Sequence, residues 1–319
     1  MAKKILVDWD LEKHELDKIR TIADEAGYCV CTPADREEAL ALAADAEIIY
    51  GKKLPGVRAA KQLKWLCTES AGVNDFVKPG VLPEGCALTN SSGAYGVTLS
   101  EHMIMVTLML MRRFQEYQQV MKGNDWSIEY PMRSIRGSVL TLLGTGDIGT
   151  NYAKRARAFS PARIIGINRT GRKPSDDYDE IGMQSELDRY LPGTDVLVMS
   201  LPETPQTRGI LSRERLALLP KHALIVNVGR GSSIDEAALV EALNEGRIAG
   251  AALDVMQHEP PAPDDPLRSA ANILLTPHNA GRMTLGYTRQ KSIDMFCDNL
   301  RCYLKGEKLE NQVDPEAGY

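Results

Sequence analysis

Three side chains with acid–base and anion-binding chemistry follow predicted strands in the second half of the chain. Arg230 lies between two glycines, and its planar guanidinium can hold a carboxylate through paired hydrogen bonds. His278 can donate or accept a proton near neutral pH. Glu259, if it meets that imidazole, would fix its tautomer and favour its charged form. Each residue alone could be an ordinary loop residue, but their joint occurrence at strand ends favours a catalytic site.

A glycine-rich turn at 144–149 predicts a dinucleotide site. Gly144, Gly146 and Gly149 have the spacing G-x-G-x-x-G, between an apolar strand and a helix that opens at Asp147 and Ile148. The first glycine allows the tight turn, the second lets backbone approach a pyrophosphate, and the third lets helix pack on strand. N–H groups at the helix N-terminus favour phosphate. A plain strand-to-helix turn is the less favoured alternative.

Other predicted strand ends supply further candidates for cofactor binding, because ligands bind beyond the carboxyl ends of parallel strands. The second strand of this region ends at Asn168, followed by Arg169 and Thr170. Asp254, after the fifth strand, could accept a hydrogen bond from the carboxamide of a nicotinamide. The remaining candidates lie after the third and fourth strands: Leu201, Pro202, Thr207, Val228, Gly229 and Arg230.

A turn of small residues in the first part of the chain is a candidate carboxylate site. Residues 69–74, Glu-Ser-Ala-Gly-Val-Asn, follow a buried apolar run directly. Free backbone N–H groups in such a turn suit a carboxylate. An ordinary strand-to-helix turn explains the same residues equally well.

The elements that must position these residues alternate between strand and helix, which predicts an α/β fold with parallel sheets. Residues 1–97, with a last helix over 284–304, form one predicted domain; residues 98–283 form a second, with a doubly wound sheet of six strands. Thr32 and Pro33 are expected to begin the second helix, and Ser233 to Glu236 to form a capping box. The predicted strands are 3–8, 28–31, 47–50, 63–68 and 87–88, then 139–143, 163–167, 195–201, 223–228, 249–254 and 272–276.

Composition excludes several classes of function. The 319 residues carry a net charge of −5, with a pI near 5.7, which argues against nucleic-acid or anionic-membrane partners. The longest apolar run, 103–111, is too short to span a bilayer. Six cysteines and five histidines show no metal-ligand spacing, so we predict reduced thiols and no metal site. With no export signal at its start, the chain is expected to be cytoplasmic.

The chain resembles the D-isomer-specific 2-hydroxyacid dehydrogenase family. Five segments carry the resemblance: GTGDIG (144–149), LPETPQTRGI (201–210), NVGRGS (227–232), 252–260 and TPH (276–278). The resemblance implies a Rossmann cofactor domain (98–283), a smaller flavodoxin-like substrate domain (1–97 plus 284–319) and a homodimer. It also implies that Arg230 holds the substrate, that His278 is the acid–base and that Glu259 is its partner. By the same resemblance, backbone groups of Ala71, Gly72 and Val73 grip the substrate carboxylate.

The expected reaction is reduction of a small 2-oxo acid to the D-2-hydroxy acid, with glyoxylate or hydroxypyruvate as family-based guesses for the substrate. NADP is expected in preference to NAD: Asn168 lies nineteen residues beyond Gly149, where NAD enzymes place an acid, and Arg169 follows it. The methionine-rich stretch 97–113, which includes His102, suits a buried core or a subunit contact better than a cofactor site. The alternative is a dinucleotide-sensing, corepressor-like binding protein on the same fold.

Overall fold

Short apolar runs alternate with helices through the first part of the chain, and each run forms a strand in the computed structural model, which describes residues 3–123 and 126–314. Strands of only three to five residues are sufficient because both faces of the sheet are covered. The elements are β1 (Lys3–Val7), α1 (Lys13–Glu25), β2 (Tyr28–Cys31), α2 (Arg36–Ala43), β3 (Ile48–Tyr50), α3 (Leu54–Ala59), β4 (Trp65–Cys67) and β5 (Ala87–Thr89).

These five strands form one parallel sheet in the order β2-β1-β3-β4-β5, which is the flavodoxin order and confirms the predicted fold class of this part. Side chains alternate between its two faces. Leu6, Ile49 and Leu66 pack on the face that α2 and α3 cover, whereas Tyr50 and Trp65 pack on the opposite face. Helix α3 was not expected from the sequence, because it has only six residues and contains Pro55 and Gly56.

In the described residues between Gly96 and Leu275, the second part of the chain contributes seven strands and six α-helices. The elements are α4 (Gly96–Met111), α5 (Phe114–Gly123), β6 (Val139–Leu143), α6 (Asp147–Ala156), β7 (Arg163–Asn168), β8 (Glu180–Met183), α7 (Leu187–Tyr190), β9 (Val196–Met199), α8 (Arg213–Leu218), β10 (Leu224–Asn227), α9 (Glu236–Asn244), β11 (Gly250–Leu253) and β12 (Ile273–Leu275).

The larger sheet is parallel throughout, in the order β12-β11-β10-β9-β6-β7-β8. Counted along the chain from β6, this is the doubly wound order 3-2-1-4-5-6 with a seventh strand added at one edge, so the predicted Rossmann fold is confirmed. The expected number of six strands is wrong. The missed strand, β8, has the sequence EIGM and lies at the other edge, where an apolar run is not required.

Two predicted helix starts are also wrong, for the same physical reason. Helix α2 is capped by Asp35, which accepts a hydrogen bond from Glu38 N, and not by Thr32. Helix α9 is capped by Asp235 and not by Ser233, whose hydroxyl donates instead to Arg230 O. In both places an aspartate lies closer to the first helical residue, and aspartate caps a helix at least as well as serine or threonine.

The last helix, α10 (Gly286–Lys305), belongs to the smaller of the two units into which the chain divides, Met1–Ala94 with Met283–Tyr319; the larger unit is Tyr95–Arg282. Phe296 of α10 stacks on Tyr50, with ring centroids 4.0 Å apart, and also on Trp65. Stacked aromatic pairs of this kind add to the free energy that burial alone provides. This contact secures α10 against the smaller sheet.

The described ranges contain neither a membrane-spanning helix nor a cluster of metal-binding side chains. No helix there is both long and apolar enough to cross a lipid bilayer. Nor do His, Cys, Asp or Glu side chains gather there in groups of three or more that suit a metal ion. All six cysteines are free thiols.

Candidate active site

The three candidate catalytic residues lie beyond the carboxyl ends of three neighbouring strands of the larger sheet. Arg230 follows β10, Glu259 follows β11 and His278 follows β12, and these strands are adjacent. His278 Nδ1 lies 2.6 Å from Glu259 Oε2, and the other carboxylate oxygen accepts a hydrogen bond from Met256 N at 2.9 Å. The imidazole keeps about half of its surface exposed. The carboxylate therefore faces one ring nitrogen and leaves Nε2 available for chemistry.

A buried aspartate holds the turn that carries the histidine. Asp254 is 2% exposed, and its carboxylate accepts hydrogen bonds from Thr276 Oγ1 at 2.6 Å and from the N–H groups of Asn279 and Ala280. His278 itself has a φ of 48°, in the left-handed region, which costs roughly 1–2 kcal/mol for a residue with a side chain. Asp254 thus stabilises a strained backbone that aims the imidazole.

The backbone around Arg230 is fixed by two polar side chains, Asn227 and Ser233, that were not among the predicted site residues. Asn227 Nδ2 and Ser233 Oγ both donate to Arg230 O, at 2.9 Å and 2.6 Å, and Asn227 Oδ1 accepts from Gly229 N. The sequence signal for Asn227 is its place two residues before a glycine, the pattern of an Asx-turn. Gly229 cannot carry a side chain, because a Cβ would lie 2.6 Å from Leu201 O.

The guanidinium of Arg230 is half-buried and donates to Gly229 O at 2.7 Å, leaving further N–H donors. Burial lowers the pKa of Arg230, and the carboxylates of Glu203 and Glu259 oppose that change. The group stays charged at neutral pH, since arginine does not deprotonate in proteins. It is suited to binding an anion.

His102, on α4, is also half-buried. Burial lowers the pKa of His102, and the carboxylate of Asp254 opposes the change.

The glycine turn has the geometry that a dinucleotide needs. Gly144 has a φ of 100°, and a Cβ on Gly149 would lie 2.1 Å from Gly144 O, so both positions exclude larger residues. Around Gly146, by contrast, a Cβ would meet no atom within 4 Å. Gly146 is also the N-cap of α6 and supplies no side-chain cap, so the first-turn N–H groups remain available. These features fit a pyrophosphate at this helix N-terminus.

The side chain of Asp147 turns away from that role. Its Oδ1 accepts from Asn151 Nδ2 at 2.9 Å, and a Cβ on Gly96 would lie 2.6 Å from both carboxylate oxygens. The carboxylate is therefore packed against the start of α4, and any contribution of Asp147 to a cofactor would come from its backbone. Ile148, the next residue, is half-buried in the same first turn.

Asn168 is used to shape a turn. Its Oδ1 accepts from the N–H groups of Thr170 and Gly171, and its Nδ2 donates to Thr145 Oγ1 at 2.9 Å and to Arg172 O. The amide thus ties the turn after β7 to the glycine turn after β6. Arg169 and Thr170 are exposed on this turn.

The loop after β9 is fixed by Thr207, which is 6% exposed and donates to Pro202 O at 2.7 Å. Thr204 N donates in turn to Thr207 Oγ1 at 2.9 Å. Leu201 and Pro202 are half-buried, and Val228, after β10, is buried. These residues form a rigid apolar segment beside the glycine turn, since β9 pairs directly with β6.

In the smaller unit, the turn after β4 presents backbone N–H groups. The carbonyl groups of Ser70, Ala71 and Gly72 all accept hydrogen bonds, from Thr68 Oγ1, Asn90 Nδ2 and Ser70 Oγ respectively. Within the described residues, the N–H groups of Ala71, Gly72 and Val73 have no acceptor. With carbonyls tied back and amides available, the turn has the polarity of an anion site.

Comparison with known proteins agrees with this geometry. Residues 104–280, more than half of the chain, match the family model for the NAD binding domain of D-isomer specific 2-hydroxyacid dehydrogenases. The D-3-phosphoglycerate dehydrogenase of Methanocaldococcus jannaschii is 30% identical over 98% of this chain, which spans 59% of that relative's length. The glyoxylate reductase of Thermofilum pendens is 30% identical over a match that covers 97% of this chain and 87% of that relative's length.

Among solved structures, the NADPH-dependent glyoxylate/hydroxypyruvate reductase of Sinorhizobium meliloti, in complex with NADP and sulfate, superposes with a TM-score of 0.84. It is 26% identical, and the match covers 99% of this chain and all of that one. The chain belongs to the D-isomer specific 2-hydroxyacid dehydrogenase family. It is an oxidoreductase that transfers a hydride between a nicotinamide cofactor and a small 2-oxo or 2-hydroxy acid. The comparisons give no support to the corepressor-like alternative.

Proposed function

We propose that the protein reduces a small 2-oxo acid to the D-2-hydroxy acid, with Arg230, Glu259 and His278 as its catalytic residues. The observation that carries the proposal is the 2.6 Å contact between His278 Nδ1 and Glu259 Oε2, on the strand ends next to Arg230. An imidazole held by a carboxylate on one nitrogen is organised to transfer a proton through the other.

In this proposal each side chain has one task. When bound, the nicotinamide supplies the hydride that the carbonyl carbon of the substrate receives. His278 donates the proton on Nε2 to the carbonyl oxygen, while Glu259 stabilises the imidazolium before the transfer. Arg230 orients the substrate and stabilises the negative charge that develops on that oxygen. His278 and Arg230 therefore contact the substrate directly.

The cofactor would be held by the larger unit. Gly144, Gly146 and Gly149 would receive the pyrophosphate, helped by backbone groups of Asp147 and Ile148. Asp254 would accept a hydrogen bond from the carboxamide of the nicotinamide, in addition to those that it accepts from the N–H groups of Asn279 and Ala280. The adenosine and nicotinamide ends would lie against the other predicted residues: Asn168, Arg169, Thr170, Leu201, Pro202, Thr207, Val228, Gly229, Arg230 and His278.

For the substrate, we propose a carboxylate bound by the N–H groups of Ala71, Gly72 and Val73. Glyoxylate and hydroxypyruvate are the first candidates, supported by the names of the Thermofilum and Sinorhizobium relatives. The test is oxidation of NADPH and NADH, followed by absorbance, with a panel of 2-oxo acids, and chiral analysis of the product. We expect a D-2-hydroxy acid; absence of turnover with every acid and both cofactors would contradict the proposal.

We further propose a preference for NADPH over NADH. A carboxylate at the end of β7 would repel the 2′-phosphate of NADPH, whereas Asn168, which ends this strand, carries no charge. The exposed Arg169 can meet the phosphate with a charge-assisted contact, and Thr170 adds a hydroxyl. The S. meliloti neighbour, described as NADPH-dependent, supports this preference.

The preference is tested by kcat/KM for both cofactors with one 2-oxo acid, in the wild type and in Arg169→Ala. We expect the variant to lose NADPH efficiency selectively, about 10-fold or more, since a charge-assisted contact is worth roughly 1.5–3 kcal/mol. Arg189→Ala, which removes an exposed arginine from α7, is the matched control. Equal use of both cofactors by the wild type would rule out the preference.

Residues 98–283 are proposed as the dinucleotide-binding domain, and 1–97 with 284–319 as the substrate domain, of a cytoplasmic homodimer.

Exposed apolar side chains concentrate on the region from α4 to the segment after α5: Met105, Phe114, Met121, Trp126, Ile128 and Met132. Such concentrations mark protein interfaces. Light scattering on the wild type and on Met121→Glu tests the dimer, and the variant is expected to shift toward monomer.

A further inference from the structure

A second carboxylate lies behind the acid–base pair. Glu236, the first residue of α9, accepts a hydrogen bond at its Oε1 from Gln257 N at 2.6 Å. Gln257 Nε2 also donates to Ile234 O, at 2.6 Å. Gln257, in the loop after β11, thus donates two hydrogen bonds to the segment at the start of α9.

The same two segments also meet through their backbones. Gly231 is buried, and a Cβ there would lie 1.9 Å from Met256 C and 2.2 Å from its carbonyl oxygen. The loop after β11 therefore packs directly against the residue that follows Arg230. This contact leaves the loop little freedom to move away from the substrate-binding arginine.

These contacts end at the catalytic pair. Gln257, held by Glu236, follows Met256, whose N–H donates to Glu259 Oε1, and Glu259 Oε2 contacts His278. We propose that Glu236 is a positioning residue, which fixes the Met256–Glu259 loop so that the Glu259 carboxylate stays against the imidazole. This inference rests on the proposed function of the acid–base pair.

The ordinary role of an acid in the first turn of a helix does not account for these contacts. Asp235 already caps α9, by accepting from Ala238 N at 3.0 Å. Glu214, an exposed acid in the first turn of α8, hydrogen-bonds Ser212 beside it, whereas Glu236 reaches a residue 21 positions away. Glu214 is therefore a matched control for the general effect of a first-turn charge.

Glu236 does not need its charge to act in this way. Burial raises its pKa; the Gln257 N–H and His258 oppose this change, while the carboxylates of Asp265 and Glu259 reinforce it. A protonated carboxyl, or the amide of a glutamine, still offers an oxygen that can accept from Gln257 N. An aspartate keeps the charge but is one methylene shorter.

The experiment compares Glu236→Ala, Glu236→Asp and Glu236→Gln with Glu214→Ala, by the pH dependence of kcat for 2-oxo acid reduction and by melting temperature. Misplacing a catalytic group by about 1 Å can lower a rate up to roughly 100-fold. We expect a 10- to 100-fold loss of kcat in the Ala and Asp variants and near-normal kinetics in the Gln variant. The Glu214 control should match the wild type.

Two results would overturn the inference. One is a wild-type kcat and pH profile in both Glu236→Ala and Glu236→Asp. The other is a loss of kcat in the Gln variant as large as that in the Asp variant, which would mean that the charge of Glu236 matters and not the length of its side chain. If Glu236→Ala does not fold, the Asp and Gln variants decide the question. A wild-type protein that reduces no 2-oxo acid would instead contradict the proposed function, so the two failures are distinguishable.

Discussion

The carboxyl ends of the two sheets carry different kinds of chemistry. In the larger sheet, the ends of β10, β11 and β12 present a charged arginine, a carboxylate and an imidazole, each fixed by hydrogen bonds to its neighbours. In the smaller sheet, the end of β4 presents backbone N–H groups, and the charged side chains nearby are paired. Lys53 contacts Asp8 at 2.7 Å, and Lys52 contacts Glu69 at 3.2 Å.

The difference shows which strand ends can transfer a proton and which can only bind. Proton transfer needs a group that titrates, and the larger sheet supplies one beside a carboxylate. Backbone amides do not titrate, so the turn at 70–73 can hold and orient an anion but cannot catalyse proton transfer. The variants below separate the two roles by asking whether kcat or KM changes.

Apart from loss of the proton donor itself, removal of the substrate-binding charge should have the largest effect. Arg230→Ala deletes the guanidinium that we propose binds the substrate and stabilises charge on its oxygen, so kcat/KM should fall by about 100- to 1,000-fold, the loss typical for one such donor. Steady-state kinetics with one 2-oxo acid measures this change. Arg189→Ala, on the exposed surface of α7, should leave both kcat and KM unchanged. A loss confined to KM would place Arg230 in binding alone.

The carboxylate beside the histidine should act through the rate of turnover and not through substrate binding. Glu259→Gln removes the negative charge 2.6 Å from His278 Nδ1, which stabilises the imidazolium in the proposed proton transfer. We expect about a tenfold loss of kcat at neutral pH, with KM for the 2-oxo acid little changed. Steady-state kinetics measures both, and an unchanged kcat would mean that Glu259 has no part in proton transfer.

Two glycines of the cofactor turn should respond differently to the same change. Gly146→Ala adds a methyl group where the structure has open space, so the melting temperature should change little while NADPH binding weakens about tenfold. Gly149→Ala places the methyl 2.1 Å from Gly144 O, so the fold itself should be destabilised. Fluorescence titration and thermal melts measure both quantities. Equal NADPH affinity in Gly146→Ala and the wild type would place the pyrophosphate elsewhere.

The smallest effect is expected in the smaller unit. Ser70→Ala removes the hydroxyl that ties back Gly72 O at 3.0 Å, a hydrogen bond worth roughly 0.5–1.5 kcal/mol. The turn at 70–73 should become less ordered, which raises KM for the 2-oxo acid a few-fold and leaves kcat unchanged. A lower kcat at unchanged KM would show that this turn does more than bind.

Side-chain chemistry and strand periodicity were sufficient to predict most of the fold and the candidate catalytic residues. Arg230, Glu259 and His278 were visible because their side chains are unusual at the ends of apolar strands. Asn227 was missed as a site residue, although its place two residues before Gly229 is an Asx-turn pattern. Glu236 was expected only in a capping box, because its partner Gln257 is brought near by folding. Strand β8 was missed because an edge strand needs no apolar run.

Single-turnover oxidation of NADPH with glyoxylate, in the wild type and in His278→Asn, tests whether His278 gives the proton in a hydride-transfer reduction. A positioned acid contributes about 100- to 10,000-fold in rate. We expect a loss of that size in the variant, with NADPH affinity within about twofold of the wild type and an unchanged melting temperature. A variant that oxidises NADPH at the wild-type rate would contradict this role of His278.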